Sequence, residues 1–299
     1  MPPINPSGTS AAELVRRVRL LELRTRRLMT THFLGGYQSV FRGRGIEFSE
    51  VREYGPGDDA RIIDWNVTAR MGRPYVKKFQ EERELNVLLA VDVSGSSRFG
   101  SQAQSKVELA TEVAALLALA AVRNNDRAGL ITFTDRVEHF VPPGKGSQHA
   151  LRIIRDLLAA EPAGRGTDLT APLRYVSRVA RRRSVVFILS DFLAAGYEAP
   201  LRTLARRHDV IAVRLTDPRE AELPPVGPVE LVDAETGDRV LVDAADPAVR
   251  QRFAQLQGER TRDQQRLLRS VGVDQVDLST ALPYGDALMA FFRRRARRV

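Results

Sequence analysis

The chain has 299 residues, 43% hydrophobic and 28% charged, which suits a folded core and rules against wholesale disorder. It contains no cysteine, which excludes disulfide staples, thiolate metal sites, iron–sulfur clusters and a cysteine nucleophile. The formal net charge of +9 sits at the two ends: residues 1–46 hold eight arginines against Glu13 and Glu22, the last ten residues hold five arginines and no acid, and the stretch between is close to neutral. Only four of the 46 cations are lysines, which reads as a bias toward arginine. No apolar run approaches the ~18–20 residues of a membrane-spanning helix. The Met-Pro-Pro start carries no basic-then-apolar leader pattern, so the reading is of a cytoplasmic protein without a membrane span.

In chain order, Leu14, Val18, Leu21 and Leu28 at helical spacing predict a helix over 10–30. Glycines punctuate residues 31–85, with short runs at Ile46–Phe48 and Tyr75–Phe79, and predict a small β-rich extension with tight turns. The unbroken apolar run Asn86–Val91 reads as a strand buried on both faces. A helix near 105–124 follows, then the strand Ala128–Phe133, whose close neighbour Val137–Val141 suggests an antiparallel hairpin partner. Helices near 147–160 and 169–182 lead to the strand Val185–Leu189, a helix near 197–207 and the strand Val210–Leu215. An inserted hairpin near 229–242, turning through Thr236-Gly237, precedes a helix near 247–270, a strand at Val273–Leu278 and a closing helix near 284–298. Strands alternating with helices imply an α/β fold, a mostly parallel doubly wound sheet over 86–299 preceded by an N-terminal helix and β-rich segment over 1–85.

In an open α/β sheet, ligands bind beyond the carboxyl ends of the strands where the strand order reverses. There the sequence offers only oxygen donors: Asp92, Ser94 and Ser96 after the first strand, Asp191 after the strand Val185–Leu189, and Thr167 in the loop between. Gly95 between the serines relieves crowding in a tight turn. Two carboxylates with three hydroxyls suit a hard divalent cation, Mg2+ first and Mn2+ or Ca2+ after it, with room for one outside carboxylate. The bland alternatives are that Ser94 and Ser96 cap a turn or helix and that Asp168 caps the helix that follows it.

This pattern resembles the metal-ion-dependent adhesion site of von Willebrand factor A domains, Asp-x-Ser-x-Ser followed by a threonine and a later aspartate, and all five positions match. The order of strands, including the antiparallel hairpin after the second, is similar to that Rossmann-like fold. The segment from Gly43 to Glu82, GRGIEFSEVREYGPGDDARIIDWNVTARMGRPYVKKFQEE, looks like the bacterial proteins grouped as domain-of-unknown-function family fifty-eight (DUF58), which join such a segment to a von Willebrand A-like domain. Methionine often stands in that family where this chain has Ser97, a position that is not a ligand. The resemblance implies a metal-dependent protein-binding module that works with a MoxR-type AAA+ ATPase in maturing or remodelling other proteins, a bound metal taking a partner's Asp or Glu. Arg52, Asp58, Asp59, Arg61 and Asp64 are expected to pair with one another near Tyr54 and Trp65, locking a loop-rich piece onto the sheet.

The sequence favours a binding module over an enzyme. His32, His139, His149 and His208 fall in separate elements with no ligand or triad spacing, and neither Gly-x-Ser-x-Gly nor a Walker A loop occurs. A metal-dependent hydrolase or phosphotransferase is the competing reading, but it needs a cation beside the site, and Arg165 is the nearby candidate. Specific nucleic-acid binding is not expected, since the arginines lie on two terminal helices and aromatic residues total 6%. Phe291 and Phe292 read as core contacts of the last helix, with the basic ends as docking surfaces or solvated faces.

Overall fold

Unbroken apolar runs become interior strands because a strand covered on both faces must be apolar at every position, not at alternate ones. The computed structural model describes residues 11–41, 47–55, 58–80, 84–164 and 166–298. In chain order these form α1 (Ala11–Leu28), α2 (Thr31–Val40), β1 (Glu47–Glu53), α3 (Trp65–Met71), β2 (Tyr75–Gln80), β3 (Asn86–Asp92) and α4 (Lys106–Arg123). Next come β4 (Arg127–Phe133), β5 (Val137–Gly144), α5 (Ser147–Leu158), α6 (Thr170–Val179), β6 (Val185–Ser190), α7 (Glu198–Arg207), β7 (Asp209–Thr216) and α8 (Pro218–Ala221). β8 (Pro228–Val232), β9 (Arg239–Asp243), α9 (Pro247–Ser270), β10 (Asp274–Ser279) and α10 (Tyr284–Ala296) complete the chain.

Six strands make one sheet in the order β10-β7-β6-β3-β4-β5, parallel throughout except for β5, which runs antiparallel to β4. Counted along the chain this is the doubly wound order 3-2-1-4-5-6, with its switch point between β3 and β6. The α/β fold, the mostly parallel sheet and the antiparallel hairpin partner are as the sequence implied. β1–β2 and β8–β9 are separate two-stranded antiparallel sheets, so the inserted hairpin is also as expected.

Alternation along β3 divides the core in two. Val87, Leu89 and Val91 face a layer built from α1, α2, α4, α5 and α10, while Leu88 and Ala90 face α6, α7 and α9. α4 is buried on nearly every side and begins with a capping box, Ser105 with Glu108.

Within the expected β-rich extension over 31–85, β1 and β2 pair as an antiparallel ribbon, but residues 31–40 form a helix instead. The chain breaks after α1, Thr30 accepts the amide of Phe33 at 3.3 Å, and a second helix carries Gly35 and Gly36 in its interior. A Cβ on Gly36 would meet Phe292 Cβ at 3.4 Å, so this glycine marks a close helix–helix approach and not a turn. Phe33, Tyr37 and Phe41 then stack edge-on against Phe292, which is buried with Phe291 as expected.

α3 was not expected either; Asp64 caps its start by accepting the amides of Asn66 and Val67, and Gly72 ends it at φ +68°. Of the charged group around it, Arg52 grips Asp58 with two hydrogen bonds of 2.8 and 2.6 Å, whereas Asp59 accepts the amide of Arg61 and acts as a cap. Trp65 is 69% exposed, so it does not help lock this segment down.

Candidate metal centre

β3 delivers Asp92 to the carboxyl edge of the sheet, one strand from Asp191 at the end of β6. The chain turns at once because Asp92 Oδ1 accepts the amide of Ser94 at 3.0 Å, an Asx-type turn. That turn brings Ser94 Oγ to 3.1 Å from Ser96 Oγ, at the start of a single 3-10 turn over Ser96–Arg98. The other oxygen of Asp92 accepts the hydroxyl of Ser190 at 2.7 Å, across the switch point.

After β6 the backbone takes a sharp bend. Phe192 sits at φ +58° and is buried, a conformation a bulky residue adopts only when its surroundings impose it. Three contacts do so: its amide donates to Ser190 Oγ at 3.1 Å, the Leu193 amide donates to Asp191 Oδ1 at 3.1 Å, and Gln264 of α9 donates to the Phe192 carbonyl at 2.9 Å.

The loop before α6 holds Thr167. Glu138 accepts the amides of Ala163 and Gly164 at 3.2 and 2.8 Å, and a Cβ on Gly164 would lie 2.1 Å from Thr134 Oγ1, so only glycine fits there. Asp168 accepts the amide of Thr170 at 2.6 Å and supports the start of α6, the capping role its position suggested. Thr167 is half-buried, and its hydroxyl donates to Glu235 Oε1 at 2.5 Å, a residue outside the predicted set; among the described residues no hydrogen bond joins Thr167 to Asp92, Ser94, Ser96 or Asp191.

The electrostatics are lopsided. Asp92 and Asp191 are both buried, and burial first, then the charge of Asp191, raises the Asp92 carboxyl above its ordinary range against the pull of Ser94 and Ser190. Asp191 has a cation: Lys106, first residue of α4 and 1% exposed, places Nζ 2.7 Å from Asp191 Oδ2 and 2.5 Å from Glu220 Oε1. Burial pulls the lysine ammonium down, but the charges of Asp191 and Glu220 outweigh it and hold the group above its usual value. Glu220 is fixed by α8, where Asp217 accepts from Ser101, Thr280 and Arg219. Asp92 has no ion-pair partner among the described residues and rests on neutral donors alone.

Sequence reading missed Lys106 and named Arg165 as the cation; Arg165 lies outside the described residues. The available signal was rarity, a lysine in a chain that otherwise uses arginine. Sequence reading also missed a groove of about 250 Å3 beside Asp191, lined by Leu193, Arg214, Glu220, Gln257 and Gln264.

Among the described residues no three of His, Asp and Glu gather as a metal cage. The donor set is instead two carboxylates and a cluster of hydroxyls, of the kind that leaves a hard cation part of its water shell. A fully buried carboxylate lacking a counter-charge beside paired hydroxyls fits a small divalent ion, because an isolated buried charge is otherwise costly.

Residues 50–264 match the family model described as "Protein of unknown function DUF58". Rv1480 of Mycobacterium tuberculosis is 35% identical over 288 residues, covering 95% of this chain and 90% of that protein. YeaD of Bacillus subtilis is 30% identical over 137 residues, covering 44% of this chain and 32% of that protein. Among solved structures, BatB from Bacteroides thetaiotaomicron aligns over 71% of this chain and 99% of its own at 17% identity and a TM-score of 0.45. The von Willebrand A domain of Rpn10 aligns over 71% and 95% at 11% identity and a TM-score of 0.39.

Proposed function

The chain belongs to the DUF58 family, and from that premise we propose that it is a protein-binding module whose grip on its partner runs through a divalent cation. The observation that carries this is Asp92: a carboxylate 0% exposed, at the switch point of the sheet, hydrogen-bonded only to neutral groups and raised first by burial and then by its neighbour's charge. Asp92, Ser94, Ser96 and Thr167 would hold the ion, with Asp191 shared between it and Lys106. The ion supplies a Lewis-acidic position that an acidic side chain of another protein can fill, and Mg2+ is the first choice for an all-oxygen set. The chain's own part is to keep the donors dry and fixed, through the Asx turn at Asp92, the strained bend at Phe192 and the Lys106 clamp on Asp191.

The partner we propose is a MoxR-type AAA+ ATPase, with the pair remodelling other proteins; its need for ATP places both in the cytoplasm. Among the described residues no helix is long and apolar enough to cross a membrane. The same site is read as binding and not as catalytic because the buried cation that touches it, Lys106, is committed to two carboxylates and not offered to a phosphate. Titration calorimetry with Mg2+ or Mn2+ tests the reading: one ion binds to the wild-type chain, and Asp92→Ala abolishes uptake. Equal affinity in that variant would remove the site assignment.

A further inference from the structure

The β8–β9 hairpin is a two-stranded sheet of its own, and such a ribbon is marginal without support. Val232, Val240 and Leu241 on it are more than half exposed. Its turn is nevertheless tightly built. Asp233 Oδ1 accepts the amides of Glu235 and Thr236 at 2.8 and 3.0 Å, the Gly237 amide returns to the Asp233 carbonyl at 2.9 Å, and Gly237 sits at φ +79°. Along 232–240 every residue is exposed but Glu235. Its carboxylate leaves the ribbon for the loop before α6, where Oε1 takes the hydroxyl proton of Thr167 at 2.5 Å and Oε2 stands 3.8 Å from where a Cβ on Gly166 would be.

We infer that the hairpin presents Glu235 as the internal carboxylate of this centre, in the position an acidic side chain of a partner would take, so that a partner binds by displacing it. The inference rests on the metal-site reading of Asp92, Ser94, Ser96 and Thr167. The chemistry at Thr167 permits it: a hydroxyl that donates its proton to Glu235 keeps its lone pairs for a cation. One extra carboxylate adds charge to the donor set, and ligand charge is what tunes the affinity of such sites. A tethered ligand competes at an effective concentration on the order of millimolar. A partner therefore needs more than its acidic side chain, and the groove beside Asp191, lined by Arg214 and Gln264, offers further contact. Because the hairpin is a separate ribbon, it can swing away without disturbing the six-stranded sheet.

The test uses the full chain, Mn2+ alone as probe, and two readouts, calorimetry and hydrogen–deuterium exchange. In the wild type, Mn2+ slows exchange of the amides at 235–238. Glu235→Ala loses that protection and binds Mn2+ roughly tenfold more weakly, with Glu235→Gln in between. Should Glu235→Ala bind Mn2+ as tightly as the wild type and the turn exchange at one rate with and without metal, the hairpin inference is overturned, while loss of binding in Asp92→Ala leaves the metal site standing. Should the wild type itself take up no Mn2+, the metal site falls and the hairpin inference falls with it.

Discussion

Each edge of the central sheet buries a carboxylate among neutral donors, Asp126 at one and Asp92 at the other, and the edges differ in what stands beside it. At the edge where the parallel strands begin, Arg295 of α10 reaches Asp209 at the start of β7 and Asp274 at the start of β10, and its guanidinium lies 5.3 Å from the ring centre of Phe41. Asp126, just before β4, accepts the amide of Leu85, the side chain of Asn124 and the hydroxyl of Tyr37. These contacts tie the chain's ends to the sheet. Of the C-terminal arginines, Arg293, Arg294, Arg297 and Arg298 are exposed, whereas Arg295 departs from the expected solvated or docking role, its side chain being only 13% exposed. At the opposite edge Lys106 neutralises Asp191, but Asp92 is left with neutral donors. One edge closes the fold with the chain's ends, and the other sets Asp92 beside a second buried carboxylate, Asp191.

Removing the cation that Asp191 and Glu220 share is the strongest way to break this contrast. Lys106→Met would leave Asp191 and Glu220 buried together without a counter-charge. Breaking a buried pair from one side costs about 3–5 kcal/mol; because Glu220 is 29% exposed, the lower end is expected. A urea melt at pH 7 with an unchanged slope reads that loss. A change under ~1 kcal/mol would mean that the ion pair is not what holds α4 against α8.

Asp92→Asn sharpens the contrast in the other direction. An amide can accept the Ser94 amide and donate to Ser190 Oγ, while the repulsion with Asp191 disappears. In chelator at pH 7 the variant should melt about 2 °C higher than the wild type, the scale of ~1 kcal/mol for a chain of this size. In Mg2+ the order should invert, because the variant cannot bind the ion. A lower melting point in chelator would show that Asp92 is a stabilising group, not a strained one.

The sheet was legible because its signal is local, unbroken apolar runs for buried strands, and the same runs located Asp92 and Asp191 at strand ends. Three things were not. Gly35 and Gly36 read as turn punctuation, since nothing in the sequence places Phe292 against Gly36. Lys106 opens an apolar helix, where a lysine normally reads as a solvated end; only the fold drops it beneath Asp191. Glu235 meets Thr167 across 68 positions of sequence, a contact that depends on how an inserted ribbon leans and not on any motif.

His208 gives the smallest and most specific test of the edge where the strands begin. It precedes β7, is 4% exposed, and its Nδ1 accepts the amide of Ser184 at 3.3 Å. Burial, with Arg207 and Arg183 nearby, lowers its pKa below the ordinary 6.5. The unfolded chain therefore takes up a proton near pH 6.5 while the folded chain resists. Stability due to the neutral ring is whole above that pH and is lost as pH falls toward the folded value. Glutamine can accept the Ser184 amide and does not titrate. His208→Gln should thus lose about 1–2 °C less in melting temperature than the wild type between pH 7.5 and pH 5. Since this edge lies across the sheet from Asp92, that difference should be the same in Mg2+ and in chelator. A metal-dependent difference would mean that the two edges are coupled through the strands that join them.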